Sequence, residues 1–195
     1  MLIAESGASK ISWCLITEKE LHHFETEGIR CGHSSPEKIE QILTQAFNHF
    51  SSFTFDKIHF YCSGCFAETR QLEMQTYLNS HFTKVNHIKV FSDLHAAARA
   101  TIGGKSGLVF IMGTGSVIFK WDGKDVEEVY GGKGFPGGDA AGGADLGSRL
   151  INLLQNTDDI KLLTDFEKEY DTIEKTLKHI SYSNFSASVY GSYAP

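Results

Sequence analysis

Long hydrophobic runs and concentrations of positive charge are both missing from this sequence of 195 residues. No stretch approaches the roughly 20 apolar residues that a membrane-spanning helix needs. The 18 Lys and Arg residues are outnumbered by 24 Asp and Glu residues and form no basic stripe, so the charge pattern of a nucleic-acid-binding protein is absent. Residues 1–10 also lack the basic flank and cleavage site of a signal peptide. We therefore predict a cytoplasmic protein whose partners include neither a membrane nor a nucleic acid.

Cysteine and proline are scarce as well. The four cysteines are too few for a disulfide framework in a chain of this size, and we expect all of them to be reduced thiols: Cys14, Cys31, Cys62 and Cys65. Cys62 and Cys65 have the spacing of a redox motif or of half a zinc site. However, no proline precedes a strand that could pack on this pair, and the nine histidines are scattered. We favour a packing or turn role for both cysteines.

The first hundred residues alternate β patterns with amphipathic helical patterns. We predict an antiparallel meander of three strands, around a turn centred on Gly7, at residues 2–5, 11–17 and 21–27. Two later strands are predicted at 57–63 and 87–92. Helices are predicted after the Ser34-Ser35-Pro36 cap, along the apolar face Met74, Tyr77, Leu78 and Phe82, and at 94–102. Strands alternating with helices imply parallel crossovers, so the expected fold is a mixed α/β sheet with flanking helices.

The composition changes after Gly104, because 13 of the 44 residues from Gly104 to Gly147 are glycine. We predict a second β-meander at residues 108–112, 117–121 and 126–130, followed by helices at 144–154, 160–170 and 173–180. This half reads as an unfinished repeat of the first. The expected division is therefore one lobe at 1–104 and a partial second lobe at 105–195.

Two glycine-hydroxyl turns are candidates for anion binding, since their backbone amides can approach a phosphate closely. The first turn offers Gly7, Ser9 and Lys10, with Glu5 at the strand end as a possible ligand for a metal ion. The second turn offers Gly113, Thr114, Gly115 and Ser116. The alternative for either is an ordinary hairpin turn, with Lys10 in solvent. Because one such turn opens each meander, we predict that the pair holds one polyphosphate.

Two aspartates are further candidates. Asp93 lies at a strand-to-helix junction, where crossover sheets place ligands, and a carboxylate there could accept a proton from a substrate hydroxyl. The alternative is a helix N-cap. Asp139 is the natural polar contact in the glycine-rich segment 131–147, and the alternative is a flexible connector with Asp139 in solvent.

Together these motifs resemble the N-acetylglucosamine kinase and BadF/BadG/BcrA/BcrD-type ATPase family. The resemblance rests on motif order along the whole chain: Glu5-Ser-Gly-Ala-Ser-Lys10 with Trp13, Tyr61-Cys-Ser-Gly64, Ser92-Asp93, Gly113-Thr-Gly-Ser116, Gly131-Gly-x-Gly134, Gly138-Asp139 and the segment 183–190. It implies the actin-like ATPase fold, with two RNase-H-like lobes of which the second is incomplete here. It also implies a sugar kinase that uses ATP and Mg²⁺ to phosphorylate the 6-hydroxyl of N-acetylglucosamine or a related amino sugar.

The resemblance also implies roles for individual residues. Asp93 matches the catalytic base, and the two turns match the loops that bind the phosphates of the nucleotide. The positions that match contacts to the sugar, or that hold the closing loop, are Ser63, Gly64, Gly132 and Asp139. Mg²⁺ would bridge the phosphates and neutralise charge that develops on them.

The sequence departs from the family pattern at several points. Glu5 replaces an aspartate, Ala140 replaces a glutamate, and Ser35-Pro36 replaces Asn-Pro. The family also continues past residue 195 into an adenosine-binding segment. These departures favour an alternative function, a truncated and catalytically inactive sugar-binding or interaction module of the same fold. Apolar surface left by missing strands would then favour a homodimer.

Overall fold

The computed structural model describes residues 1–7, 9–134, 136–182, 189 and 191–193. Of the family-like segment 183–190, only Val189 lies within the described residues. The chain divides into two compact units, Met1–Gly103 and Gly104–Pro195. Among the described residues, no helix is both long and apolar enough to cross a membrane.

The first unit contains a five-stranded mixed sheet in the order β3-β2-β1-β4-β5. Its strands are β1 (Leu2–Ser6), β2 (Lys10–Ile16), β3 (Leu21–Glu27), β4 (Lys57–Cys62) and β5 (His87–Ser92). Strands β1, β2 and β3 pair antiparallel, whereas β1, β4 and β5 pair parallel. The predicted meander followed by parallel crossovers is confirmed.

Three helices pack on this sheet: α1 (Pro36–Phe50), α2 (Glu68–His81) and α3 (Asp93–Thr101). Helix α1 begins as the sequence predicts, because the Ser35 side chain accepts the Lys38 N–H and Pro36 occupies the first turn. The α1 and α2 helices contact each other, and their apolar faces join the core formed by alternate residues of the strands. Helix α3 contacts the opposite face of β4, where Arg99 Nη1 donates to the Tyr61 hydroxyl at 3.0 Å.

The second unit has a three-stranded antiparallel sheet in the order β6-β7-β8 within its described residues. The strands are β6 (Gly107–Met112), β7 (Ser116–Trp121) and β8 (Val126–Gly131), and the helices that follow are α4 (Gly143–Gln155), α5 (Ile160–Glu169) and α6 (Ile173–Tyr182). The three helices share a core that includes Ile151, Leu154, Phe166, Ile180 and Tyr193. The predicted second meander and its three helices are therefore confirmed.

The structure corrects two expectations from the sequence. Phe82 is the C-cap of α2, so the helix ends one residue before the last member of its predicted apolar face. Cys31 and Cys65 form a disulfide, so the expectation of four reduced thiols is wrong, whereas Cys14 and Cys62 are free. The two bonded cysteines are 34 residues apart in sequence, and the fold brings the segment after β3 against the turn after β4.

We expect the substitution Thr26→Val to lower the free energy of unfolding by about 1–3 kcal/mol, because it leaves the indole N–H of Trp13 without its acceptor. Trp13 is 1% exposed, and its Nε1 donates to Thr26 Oγ1 at 3.0 Å. Chemical denaturation measures the change. The same substitution at the exposed Thr54 is the control and should change stability by less than about 0.5 kcal/mol; equal effects at both positions would contradict a role for this hydrogen bond.

Candidate functional site

The carboxyl ends of β1, β4 and β5 meet at one edge of the first sheet. The parallel register aligns Ser6 with Cys62 and Cys62 with Ser92. Glu5 therefore lies one residue before this edge and Asp93 one residue after it. Open sheets bind ligands at this position, because the strand ends present polar groups that no neighbouring strand covers.

Asp93 is the first residue of α3, and Ser92 is the N-cap, so the alternative N-cap assignment for Asp93 is wrong. The Ser92 hydroxyl bonds His95 Nδ1 at 2.8 Å instead of a helix amide, while Asp93 Oδ1 accepts the Leu94 N–H at 3.1 Å. Partial burial raises the pKa of the Asp93 carboxyl, and the hydrogen bond from the Leu94 amide opposes that rise. The site thus contains a carboxylate that binds a proton more readily than an exposed aspartate does.

Glu5 is electrostatically coupled to Asp93. Desolvation is the larger cause that raises the pKa of the Glu5 carboxyl, the negative charge of Asp93 adds to the rise, and Lys10 opposes it. Two carboxylates that repel each other at a strand edge form a donor set that suits a hard divalent cation.

The first glycine-hydroxyl turn is closed by its own backbone. The Gly7 N–H donates to the Lys10 carbonyl at 3.0 Å, and the Ser9 carbonyl accepts the Gly28 N–H at 3.1 Å. The Lys10 ammonium forms an ion pair with Glu25 on β3 at 2.5 Å, with both side chains about 60% exposed. Lys10, which the sequence predicts to bind phosphate, is therefore paired with Glu25 in this structure, and the pair is exposed to solvent.

The Ser63–Gly64 turn is held by contacts on three sides. The Ser63 N–H donates to the Ser6 carbonyl at 3.0 Å, and the Ser63 carbonyl accepts the Cys31 N–H at 3.3 Å. Gly64 has a φ of +83°, and a Cβ there would lie 3.1 Å from the Cys31 carbonyl oxygen, so glycine is required. Arg70 Nη1 donates to the carbonyls of both Cys31 and Gly64 at 3.3 Å.

Sequence reasoning missed Arg70. The sequence does contain a signal for this residue. Arg70 lies in the first turn of α2, where a positive charge is unfavourable next to the helix dipole, and this indicates that its side chain makes a compensating contact. Its carbonyl contacts supply that compensation and fix the turn that contains two of the predicted sugar-binding residues.

The second glycine-hydroxyl turn, in the other unit, rests against the N-terminus of α4. The carbonyls of Gly113 and Thr114 accept the N–H groups of Gly143 and Ala144 at 2.8 and 2.9 Å, and the Gly113 N–H donates to the Gly115 carbonyl. A shallow cavity of about 300 Å³ opens beside this turn. Its lining consists of Met112, Gly113, Thr114, Ala141, Gly143, Leu146 and Gly191.

Asp139 lies against this same turn. Asp139 Oδ1 accepts the Gly134 N–H at 2.9 Å, and its other carboxylate oxygen is so close to Gly115 that a Cβ there would overlap it. Ser116 also contacts the glycine-rich segment, because its hydroxyl donates to the Ala140 carbonyl at 2.7 Å and its carbonyl accepts the Gly132 N–H at 3.0 Å. The alternative of a connector with Asp139 free in solvent is therefore wrong.

Comparisons with solved structures identify the architecture. The chain is similar to a provisionally assigned N-acetylglucosamine kinase from Porphyromonas gingivalis, with 25% identity, a TM-score of 0.79, and coverage of 99% of this chain and 70% of that one. A second protein with the same provisional assignment, from Chromobacterium violaceum, has 18% identity and a TM-score of 0.64 over 100% and 72% of the two chains. MreB5 of Spiroplasma citri matches 79% of this chain and 56% of its own length, with 10% identity and a TM-score of 0.51. The fold is that of the actin-like ATPases.

No protein-family model and no curated protein matches the chain. Within the actin-like fold, the first unit brings together the candidate residues Glu5, Ser63 and Asp93 at the strand ends. The second unit brings together its glycine-hydroxyl turn and Asp139. Parallel strand pairing assembles the first group, whereas loop hydrogen bonds and the Asp139 carboxylate assemble the second.

The substitution Asp93→Asn should lower the pKa of Glu5, because it removes the repelling charge and keeps a side-chain oxygen for the Leu94 amide. The Glu5 pKa should stay above the ordinary value of a glutamate, since desolvation is the larger cause of the rise. Carboxyl-carbon NMR titration measures the shift. Asp56→Asn, at an exposed position, is the matched control; a Glu5 pKa that is the same in Asp93→Asn and wild type would contradict the coupling.

The same titration predicts how stability depends on pH. Both folded-state pKa values lie above the unfolded values, so the folded state binds more protons and these groups stabilise it most at low pH. Their contribution declines as the pH rises through the folded-state values. Thermal unfolding at several pH values should therefore show Asp93→Asn gaining stability over wild type at pH 7, and this gain should shrink as the pH falls through the folded-state pKa of Asp93. A gain that is independent of pH would contradict this assignment.

We expect Gly115→Ala to displace the Asp139 carboxylate and break its hydrogen bond with the Gly134 amide, at a cost of about 1 kcal/mol. Gly113→Ala is the control, because a Cβ there meets nothing within 4 Å. Amide NMR shifts of Gly134 and thermal unfolding measure both effects. In the double variant Gly115→Ala, Asp139→Ala the overlap is absent, so the stability lost should be smaller than the sum of the losses in the two single variants. A loss equal to that sum would contradict the predicted overlap.

Proposed function

We propose that the chain is an ATP-dependent sugar kinase that phosphorylates the 6-hydroxyl of N-acetylglucosamine or a related amino sugar. The observation that carries the proposal is the coupled pair Glu5 and Asp93 at the strand ends of an actin-like fold. The similarity to the provisionally assigned N-acetylglucosamine kinase of Porphyromonas gingivalis, which extends over 99% of this chain, supports the same class of reaction.

In this proposal, Asp93 is the general base. Its half-buried carboxylate would accept the proton of the sugar hydroxyl when that hydroxyl lies within about 3 Å. The raised pKa of the Asp93 carboxyl favours this role, since a general base works best when its pKa lies close to the operating pH. The Leu94 amide, which donates to Asp93 Oδ1, would keep the side chain oriented.

The residues present fit a magnesium ion. Glu5 is accessible to solvent and carries a carboxylate that is repelled by Asp93, so a divalent cation would relieve the repulsion. Bound together with ATP, the ion would supply positive charge that offsets the negative charge of the phosphates. We propose Glu5 as the residue that orients the ion.

The two glycine-hydroxyl turns are proposed to bind the phosphates of the nucleotide. In the second turn, Thr114 borders the shallow cavity and its backbone is braced by α4. In the first, Lys10 would exchange its exposed pairing with Glu25 for a phosphate, which costs little because surface ion pairs contribute at most about 1 kcal/mol. The MreB5 structure, which has a related fold, contains ADP.

The sugar contacts are proposed to come from the turn after β4. The half-buried Ser63 would offer its hydroxyl to the sugar, while Gly64 supports it through the backbone conformation that only glycine adopts readily. Gly132, at a φ of +67°, and Asp139 would hold the glycine-rich segment beside the nucleotide turn.

A second candidate function is sugar binding without phosphoryl transfer. Glu5 extends its carboxylate one methylene further than the aspartate of the family pattern, and Ala140 offers only its backbone, whose carbonyl accepts the Ser116 hydroxyl. A misplacement of about 1 Å at a reacting centre can cost about a hundredfold in rate.

An assay of ADP release with a panel of hexosamines tests the proposal. We expect release that depends on N-acetylglucosamine or a related amino sugar, and a loss of about 10²–10⁴-fold in Asp93→Asn, because the general base is removed. Asp56→Asn should retain full activity.

Calorimetry with sugar and nucleotide separates the two candidates. Binding of both ligands with turnover supports the kinase, whereas sugar binding without ADP release supports the second candidate. Unchanged release in Asp93→Asn would contradict its role as the base, and absence of sugar binding would contradict both candidates.

A further inference from the structure

Three cysteine sulfurs lie together in the first unit. The Sγ atoms of Cys31, Cys62 and Cys65 are all within 4.8 Å of one another, and the Cys31 and Cys62 sulfurs are 3.0 Å apart. The three residues are 3%, 0% and 0% exposed. This cluster, which we call the sulfur cluster, has no part in the proposed sugar and nucleotide chemistry.

The fold assembles the sulfur cluster from two segments. Cys31 lies in the segment after β3, Cys62 is the last residue of β4, and Cys65 lies in the turn that follows. Backbone contacts hold the segments together independently of the disulfide, since the Cys31 N–H donates to the Ser63 carbonyl and Arg70 bonds the carbonyls of Cys31 and Gly64. We therefore expect the three sulfurs to stay close together when the Cys31–Cys65 bond is reduced.

The third sulfur lies against the disulfide. The Cys62 sulfur is 3.0 Å from the Cys31 sulfur and 3.4 Å from the Ile29 carbonyl oxygen. All three sulfurs are buried and close enough together for one ligand to contact them all.

We propose that the reduced sulfur cluster is a binding site for one soft monovalent cation, copper(I). Reduction by a dithiol supplies two electrons and two protons, so that Cys31 and Cys65 become thiols and the dithiol becomes a disulfide. The cation then takes the place of the thiol protons, which pass to solvent. With metal–sulfur bonds of about 2.3 Å in a trigonal arrangement, the sulfurs would lie about 4 Å apart, and breaking the Cys31–Cys65 bond allows that spacing.

The number of ligands favours copper(I) over zinc. Structural zinc sites use four ligands, and in the described part of the chain the group of candidate metal-binding side chains contains only these three sulfurs. Burial leaves little access for water as a fourth ligand. Thiolates select soft cations such as copper(I). The nearby Arg70 guanidinium would offset part of the negative charge of the thiolates.

The nearest alternative ligand is His33. Its ring is exposed, and Nδ1 lies 3.3 Å from the Cys31 carbonyl oxygen instead of pointing at the sulfurs. A movement of this ring would complete a site with three sulfurs and one nitrogen, which suits zinc. The test therefore includes zinc and a His33 variant.

The protein is reduced with a dithiol, freed of reductant without oxygen, and titrated with copper(I) against a chromophoric copper(I) chelator. We expect one copper per chain, with thiolate-to-copper absorption in the ultraviolet and three sulfur neighbours by X-ray absorption. Cys62→Ser and Cys65→Ser should each weaken binding by about a hundredfold or more, since even loss of an outer-shell partner costs about 10–100-fold. Cys14→Ser is the matched control and should bind as wild type does.

Wild-type protein with the disulfide intact provides a second test that needs no variant, and it should bind no copper until it is reduced. Copper binding that is the same before and after reduction, or the same in Cys62→Ser and wild type, would overturn the proposal. So would zinc binding that outcompetes copper and is weakened by His33→Ala. These tests measure metal binding and the kinase test measures ADP release. The copper proposal can therefore fail without affecting the kinase proposal, and the reverse also holds.

Discussion

The parallel pairing of β1 with β4 and of β4 with β5 is the constraint on which the first unit depends. It aligns Ser6, Cys62 and Ser92 at one edge, so the residues that follow or precede them share one surface. The crossover helices pack on both faces of the sheet, and α3 begins at that edge with Asp93. A single register therefore places a carboxylate from β1, a turn from β4 and a carboxylate from α3 within one region. A shift of one residue would turn Glu5 to the opposite face of the sheet and separate the pair.

Partial burial of the carboxylates gives this edge its chemistry. An isolated carboxylate loses hydration free energy when it is buried, and a neighbouring negative charge adds to the cost. Glu5 experiences both effects, while Lys10 offsets only part of them because its ammonium also pairs with Glu25. The edge thus holds more negative charge than its own cations compensate. This imbalance is the physical basis on which we propose a cation and a phosphate ester as ligands of the site.

Most of the fold could be predicted from the sequence, and the fine geometry could not. Strand and helix order followed from apolar periodicity and from local signals such as Ser35-Pro36, because these depend on neighbouring residues. The Cys31–Cys65 bond was missed because it joins residues 34 positions apart, and its partner choice depends on how the segment after β3 folds back. Arg70 was missed for a related reason, since its acceptors are backbone carbonyls that no side-chain pattern reveals. The candidate carboxylates were found because strand ends can be located from sequence.

The glycine-rich segment illustrates why composition alone misleads. Abundant glycine predicts a loose connector, yet several of these glycines are required by close approach of neighbouring groups. Gly115 faces the Asp139 carboxylate, and a Cβ at Gly142 would lie 2.7 Å from the backbone of Gly115. The same backbone accepts amide hydrogen bonds from the start of α4. Because glycine has no Cβ, the backbone segments can approach each other closely here. Ordering these glycines costs chain entropy, and the hydrogen bonds that a bulkier residue would prevent offset that cost. The turn between β6 and β7 is therefore a braced structure, and a braced turn keeps its amides and hydroxyls in fixed directions before a ligand arrives.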